Sequence, residues 1–192
     1  MLNKLIPIAG HLSRLDPDRD WTAQPNGHGA NLISTTGHKI YCYTPSYPHS
    51  AAERFHLHPA GLVYANGQMF VAGHNHPMPS ITVSKHRPSQ SLANDIYRRL
   101  IPQAIEYIDW ANGLIKKSDD HEARRNGIKN LLVEQGNGRL GWQNRDVYGP
   151  QWKAEVGYRA DITLTLQNLD IETALQFLEL FQQEQSHVSC QS

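Results

Sequence analysis

The sequence predicts an α+β fold: a mostly antiparallel sheet with a long central helix, and a C-terminal strand and helix packed on one face. Three observations carry this. Short runs that alternate apolar and polar residues, separated by turn-sized gaps, fill residues 31–84. The most regular helical stripe follows at residues 92–115, and a strand pattern leading into a helical stripe returns at 158–181.

In order, residues 1–29 are rich in Pro, Asp, Asn and Gly (RLDPDRDWTAQPNGHG) and read as an irregular arm, with Trp21 as its anchor onto the core. The runs 31–34 and 39–43 flank Thr35-Thr36-Gly37-His38, which predicts a hairpin. The prolines and small polar residues of 44–52 make a surface loop. In 54–58 the apolar Phe55 and Leu57 alternate with Arg54, His56 and His58. Asn66-Gly67 is a type I′ turn signal, so a second hairpin is expected from 62–65 and 68–72. Ile81 and Val83 alternate with Thr82 and Ser84 until Lys85-His86-Arg87-Pro88 breaks the pattern.

Ser89 or Ser91 can cap the helix that follows, whose stripe runs Leu92, Ile96, Leu100 and then Ile101, Ala104, Ile105, Ile108, Ala111, Ile115. Pro102 lacks an amide donor and biases Ile101 away from helical angles, which predicts a kink or break with Pro102 opening a second helix. The charged stretch 118–127 reads as a break, 128–134 as a further turn or strand, and the glycine-rich 135–157 as irregular. From Tyr158 the alternation of Tyr158, Ala160, Ile162, Leu164 and Leu166 predicts an antiparallel strand with one wet face. Asn168 or Asp170 can cap a last helix with the stripe Ile171, Ala174, Leu175, Leu178, Phe181, and 186–192 read as a frayed tail. At 192 residues the expectation is a single domain, 1–192.

Composition narrows the function classes. No apolar run approaches the roughly 18 residues needed to span a bilayer, and the N-terminus lacks the pattern of a secretory signal. Cys42 and Cys190 are far apart with no zinc spacing, which predicts a reducing, cytoplasmic setting without a disulfide framework. The net charge is zero, yet 85–130 holds nine basic and six acidic residues while 161–192 holds none and five. The surface is therefore expected to be polarised, as suits a protein that binds a macromolecular partner, nucleic acid or a host protein complex, without a cofactor.

The candidate partner surface follows from that charge. Lys85, Arg87, Arg98 and Arg99 flank a strand-to-helix turn, and Asp95 stands three and four residues before the arginine pair. That pair serves either a helix-surface ion pair or a contact to a phosphate or an acidic partner. Further on, Arg139, Trp142, Arg145 and Trp152 interleave cations with aromatics, the combination a single strand of nucleic acid needs. The alternative is that the two tryptophans lid the core.

The segment Ile81-Thr82-Val83-Ser84, Arg87-Pro88 and Ala93-x-Asp95-Ile96-x-Arg98-Arg99-Leu100-x-Pro102 resembles uncharacterised small proteins of phages, plasmids and other mobile elements. The resemblance implies a mobile-element accessory protein, counter-defence being one conceivable purpose, and brings no settled activity with it.

An alternative is a metal-dependent hydrolase. The eleven histidines include His56-x-His58 and His74-x-His76, and on a strand each pair points to one side. A two-residue turn at Asn66-Gly67 would put the two pairs on opposite faces of a ribbon. Gly73-His74-Asn75-His76-Pro77 is similar to the His-x-His-Pro core of the JAMM metallo-isopeptidases. Arg87 stands where that family has its aspartate ligand, Asp95 is the nearest aspartate downstream, and Glu53 is the only glutamate upstream.

Overall fold

A computed structural model describes residues 1–45, 53–73 and 75–176; residues 46–52, His74 and 177–192 lie outside the described part. The architecture is α+β, with one five-stranded and one four-stranded antiparallel sheet. The chain divides into two compact units, Met1–Asp119 and Asp120–Ser192, where length alone suggests one domain.

The first unit is a meander of β1 (Trp21–Asn26), β2 (Gly29–Ser34), β3 (Lys39–Tyr43), β4 (Arg54–Ala60) and β5 (Ile81–Ser84), each pairing with the next. Helices α1 (Leu2–Leu15) and α2 (Ser89–Arg99) pack against it, and Leu100, Ile101 and Ala104 complete that core. Strand alternation decides which residues meet the helices: Ala30, Leu32, Ile40, Cys42, Phe55, Leu57, Ile81 and Val83 are all buried. Leu5, Ile8 and Leu12 of α1 and Leu92, Ile96 and Leu100 close over them.

The first 29 residues are thus not an irregular arm. They form α1 and β1, with Trp21 as the anchor that was expected, its indole Nε1 donating to Asp16 Oδ2 at 3.2 Å. Pro7 hides this helix in the sequence, because a proline past the first turn costs a backbone hydrogen bond. Burial of Leu5, Ile8, Ala9 and Leu12 along one face outweighs that cost.

Helix α2 ends at Arg99, and α3 (Ile101–Gln135) restarts at the expected break beside Pro102. The further break expected at 118–127 does not occur; α3 runs on for 35 residues and contributes to both units. Within the first unit Ile108, Ala111 and Ile115 carry a second cluster with Leu62, packed by Tyr64, Phe70, Tyr107 and Trp110.

The expected second hairpin is reduced to one bridge, Val63↔Met69, flanked by Tyr64 N–H donating to Gln68 O and Phe70 N–H to Leu62 O. Its register leaves three residues in the turn. Gly67 has φ +83° and Asn66 is not among the residues with positive φ, so this is not the type I′ turn that Asn-Gly suggests.

In the second unit, 135–157 is ordered as β6 (Arg139–Leu140), a 3-10 turn at Trp142–Asn144, β7 (Asp146–Tyr148) and β8 (Trp152–Val156), which pairs with β9 (Ile162–Leu166). Glycine makes this possible: a Cβ at Gly136 would lie 2.6 Å from Trp152 Cζ2, so the indole packs where a side chain cannot stand. Strand β9 starts four residues later than expected, because Gly157 N–H donates to Asp161 O around a turn with Ala160 at φ +62°. Its Ile162 and Leu164 are exposed. Asp170 caps residues 171–176 as expected, accepting from Thr173 N–H at 2.7 Å, and these hydrogen bonds hold its carboxyl below the usual range. Leu178, Phe181 and the expected tail lie outside the described residues.

The core assignment is checked at Ile96, which is 1% exposed. Ile96→Ala removes a buried branched side chain between α2 and the sheet and is expected to cost about 2–5 kcal/mol, read from the urea midpoint; an unchanged midpoint would contradict the packing described.

Candidate functional site

The strands that bury one face turn the opposite residues outward. The register Tyr41↔His58 and Tyr43↔His56 places two tyrosines of β3 beside two histidines of β4 on the face away from α1 and α2. The rings form a contiguous group. Tyr41 and Tyr43 stack at 5.7 Å, Tyr43 meets His56 edge-on at 5.2 Å, Tyr41 meets His58 at 5.6 Å, and the two imidazoles are 5.9 Å apart. All four residues are half-buried.

Three local features fix Tyr41 and the two histidines. Gly29 leaves room for Tyr41, since a Cβ there would lie 2.7 Å from the phenol oxygen. His56 Nδ1 is 3.2 Å from Thr82 Oγ1. His58 Nδ1 is 2.7 Å from Pro59 O, and because a carbonyl only accepts, Nδ1 carries the proton and Nε2 of the neutral ring keeps its lone pair. Burial, and then the neighbouring His58, lower the pKa of His56 below 6.5, so its ring is neutral at pH 7.

Exposed cations stand at both ends of this group on the same face: Lys39 opposite Ala60, and Arg54 opposite Ser84. Ala60 stands six positions on from Arg54 along β4, about 20 Å of strand. Beside the rings lies a cavity of about 640 Å³ lined among others by Tyr41, His58, Gly61, Phe70, His76 and Tyr107. The arrangement offers flat aromatic faces in a row with a positive group at each end, which is the form of a stacking surface.

No protein-family model, curated protein or solved structure matches the chain.

The residues expected to bind a partner are divided between the two units, and several are engaged within the fold. Lys85 lies over the Phe55 ring, its Nζ 5.6 Å from the centroid. Arg87 pairs with Asp95 and donates to Ser91 Oγ at 2.5 Å, so it braces the turn into α2. Asp95 is therefore engaged with Arg87 and not with Arg98 or Arg99, which stay exposed in the last turn of α2. Helix α2 covers the buried face of the sheet, opposite the ring cluster. In the second unit Arg139 and Arg145 are exposed and Trp142 is 89% exposed, whereas Trp152 lies against Gly136 and Gly138. Trp152 thus takes the lid role and Trp142 does not. Lys153, a further cation of that stretch, is held by Asp146 at 3.2 Å and Glu155 at 2.5 Å.

The histidine pairs also differ from expectation. Strand β4 pairs with β3 and β5, not with the residues after Asn66-Gly67, so the ribbon that would separate the pairs does not form. His58 and His76 line the same cavity, and His76 stacks on Trp110 at 4.3 Å and 11°. His74 lies outside the described residues. Among the described residues no group of three or more His, Cys, Asp and Glu converges as a metal site would require.

Tyr41, Tyr43, Lys39 and Arg54 were missing from the sequence-derived site. The alternation of Lys39-Ile40-Tyr41-Cys42-Tyr43 is the signal that could have found them, once read against Arg54-Phe55-His56-Leu57-His58 as its neighbour.

Because folding lowers the pKa of His56, the unfolded chain takes up that proton first. The contribution of a neutral His56 to stability is whole above pH 6.5 and is lost as pH falls from 6.5 through the lower folded value. NMR titration is expected to show a midpoint below 6.5 for His56, raised in His58→Gln, since burial stays and only the second cause is removed. A midpoint at or above 6.5 in the native protein would contradict this environment.

Proposed function

We propose that the chain is a non-enzymatic binding protein whose open sheet face takes a single strand of nucleic acid. The observation that supports it is the row of Tyr41, Tyr43, His56 and His58 between Lys39 and Arg54. Nucleobases stack on such rings whatever their sequence, and two end cations suit phosphates. The uncharged His56 favours stacking over salt-type contacts. Zero net charge opposes indiscriminate binding to polyanions, so affinity rests on the rings. The likeness of the Ile81–Pro102 segment to mobile-element proteins fits an accessory role in a host cytoplasm, counter-defence included. No helix among the described residues is long and apolar enough to cross a membrane.

A second reading, a host protein complex as partner, is favoured by Trp142. Its indole is almost wholly exposed, with Leu140 42% exposed and Arg139 and Arg145 exposed nearby in the chain, the aromatic-and-arginine composition of interface hot spots. Trp142→Ala is expected to abolish capture of such a complex from host lysate while Tyr41→Ala with Tyr43→Ala leaves it intact; the reverse pattern would sink this reading.

For nucleic acid the measurement is fluorescence anisotropy with labelled short single strands. Tyr41→Ala with Tyr43→Ala is expected to weaken binding by about 1–3 kcal/mol for each base that loses its ring. Two phosphate contacts give a shallow dependence on log salt, with slope about −1.4. Arg98→Ala with Arg99→Ala is expected to leave both quantities unchanged, because α2 packs on the other face. Full affinity in the tyrosine variant would refute the proposal.

A further inference from the structure

We infer that the cavity beside the ring cluster is a nucleobase pocket, with Lys39 holding the attached phosphate at its rim. This rests on the nucleic-acid reading of the same face and adds where one base goes. The volume, about 640 Å³, falls in the range of small-molecule sites. No Lys, Arg, Asp or Glu is among the described lining residues, so the part of a ligand that enters is uncharged, a base and not its phosphate. The lining is mostly apolar, and its polar groups include, besides His76 and the Tyr41 and Tyr107 phenols, two acceptors: His58, whose Nε2 lone pair accepts, and Asn26, whose Nδ2 already donates to Asn31 Oδ1 at 3.3 Å, leaving its carboxamide oxygen to accept from a ligand. Two acceptors suit the exocyclic amine and ring N–H groups that bases carry.

The rim is set by Gly61, which lines the cavity. A Cβ there would lie 2.9 Å from Lys39 Cδ, so the stem of the exposed lysine crosses a glycine of the cavity wall. Tyr41 and His58 belong both to the cavity wall and to the ring row, so a strand can seat one base in the pocket and stack the next on Tyr43 and His56. A free mononucleotide presents the same base and phosphate, and the experiment separates the two sources.

Adenosine, adenosine monophosphate and a short oligoadenylate are titrated into the full chain by calorimetry. The native protein is expected to bind the monophosphate several-fold more tightly than adenosine, and Lys39→Met, which keeps the stem on Gly61, to make the two equal. Ala60→Phe, filling the cavity opposite Lys39, is expected to weaken all three ligands by about tenfold or more. If Ala60→Phe does not fold, the Lys39→Met comparison alone decides. Tighter binding of the oligomer than of the monophosphate identifies a strand as the source; equal binding identifies the free nucleotide. Oligomer binding that Ala60→Phe leaves intact, with no preference for the monophosphate, overturns the pocket while the stacking face stands. Binding of no oligomer while the monophosphate binds overturns the strand reading and retains the pocket.

Discussion

The register of β3 against β4 is the constraint on which the rest depends. Because side chains alternate along a strand, one choice of pairing sends Ile40, Cys42, Phe55 and Leu57 to the helices and Tyr41, Tyr43, His56 and His58 to the other side. A slip by one residue would expose the aliphatic core and bury two imidazoles and two phenols. The helices hold the register in place: Leu5, Ile8 and Leu12 of α1 and Leu92 and Ile96 of α2 fit only the aliphatic side. The site is thus a by-product of core packing, fixed by the same hydrophobic free energy that folds the unit.

The two faces also separate the chemistry of adjacent residues. Cys42 lies between Tyr41 and Tyr43 in sequence but is fully buried, and burial pushes its thiol up to about 12, so it is an inert core residue in the neutral range. One position along, the rings are half-exposed and His56 is held neutral by burial and by its neighbour. Alternating burial therefore removes a nucleophile and at the same time leaves a face of aromatic rings flanked by two cations.

The α+β class and the hairpin around Gly37 were legible in the sequence, as were the strand at Ile81, the break at Pro102 and the Asp170 cap, because each rests on a local pattern. Helix α1 was not, since Pro7 obscures a helix that tertiary burial imposes. The sheet at 139–156 was not, since its glycines look like loop residues until Trp152 is seen to need their missing side chains. The stacking face was half legible. His56-x-His58 shows a shared side from spacing alone, but its neighbour is β3, a pairing between segments that no local pattern states. The ion pairing of the basic turn was not legible for a physical reason: Asp95 was in reach of Arg98 and Arg99 along the helix, yet Arg87 comes to it from the preceding turn. Charge counted along a sequence does not say which charges are already engaged.

An aromatic sheet face open to solvent invites association with other sheets, and the unit limits that at its edges. β1, one edge, carries Pro25, which has no N–H to donate to an incoming strand. β5, the other edge, is only four residues long and ends where Lys85 and the turn into α2 begin. Backbone pairing with a second chain is thereby discouraged on both sides, while the rings remain accessible from the front. Under the stacking proposal the sheet is approached by its side chains and not along its edges, which separates that mode from strand addition.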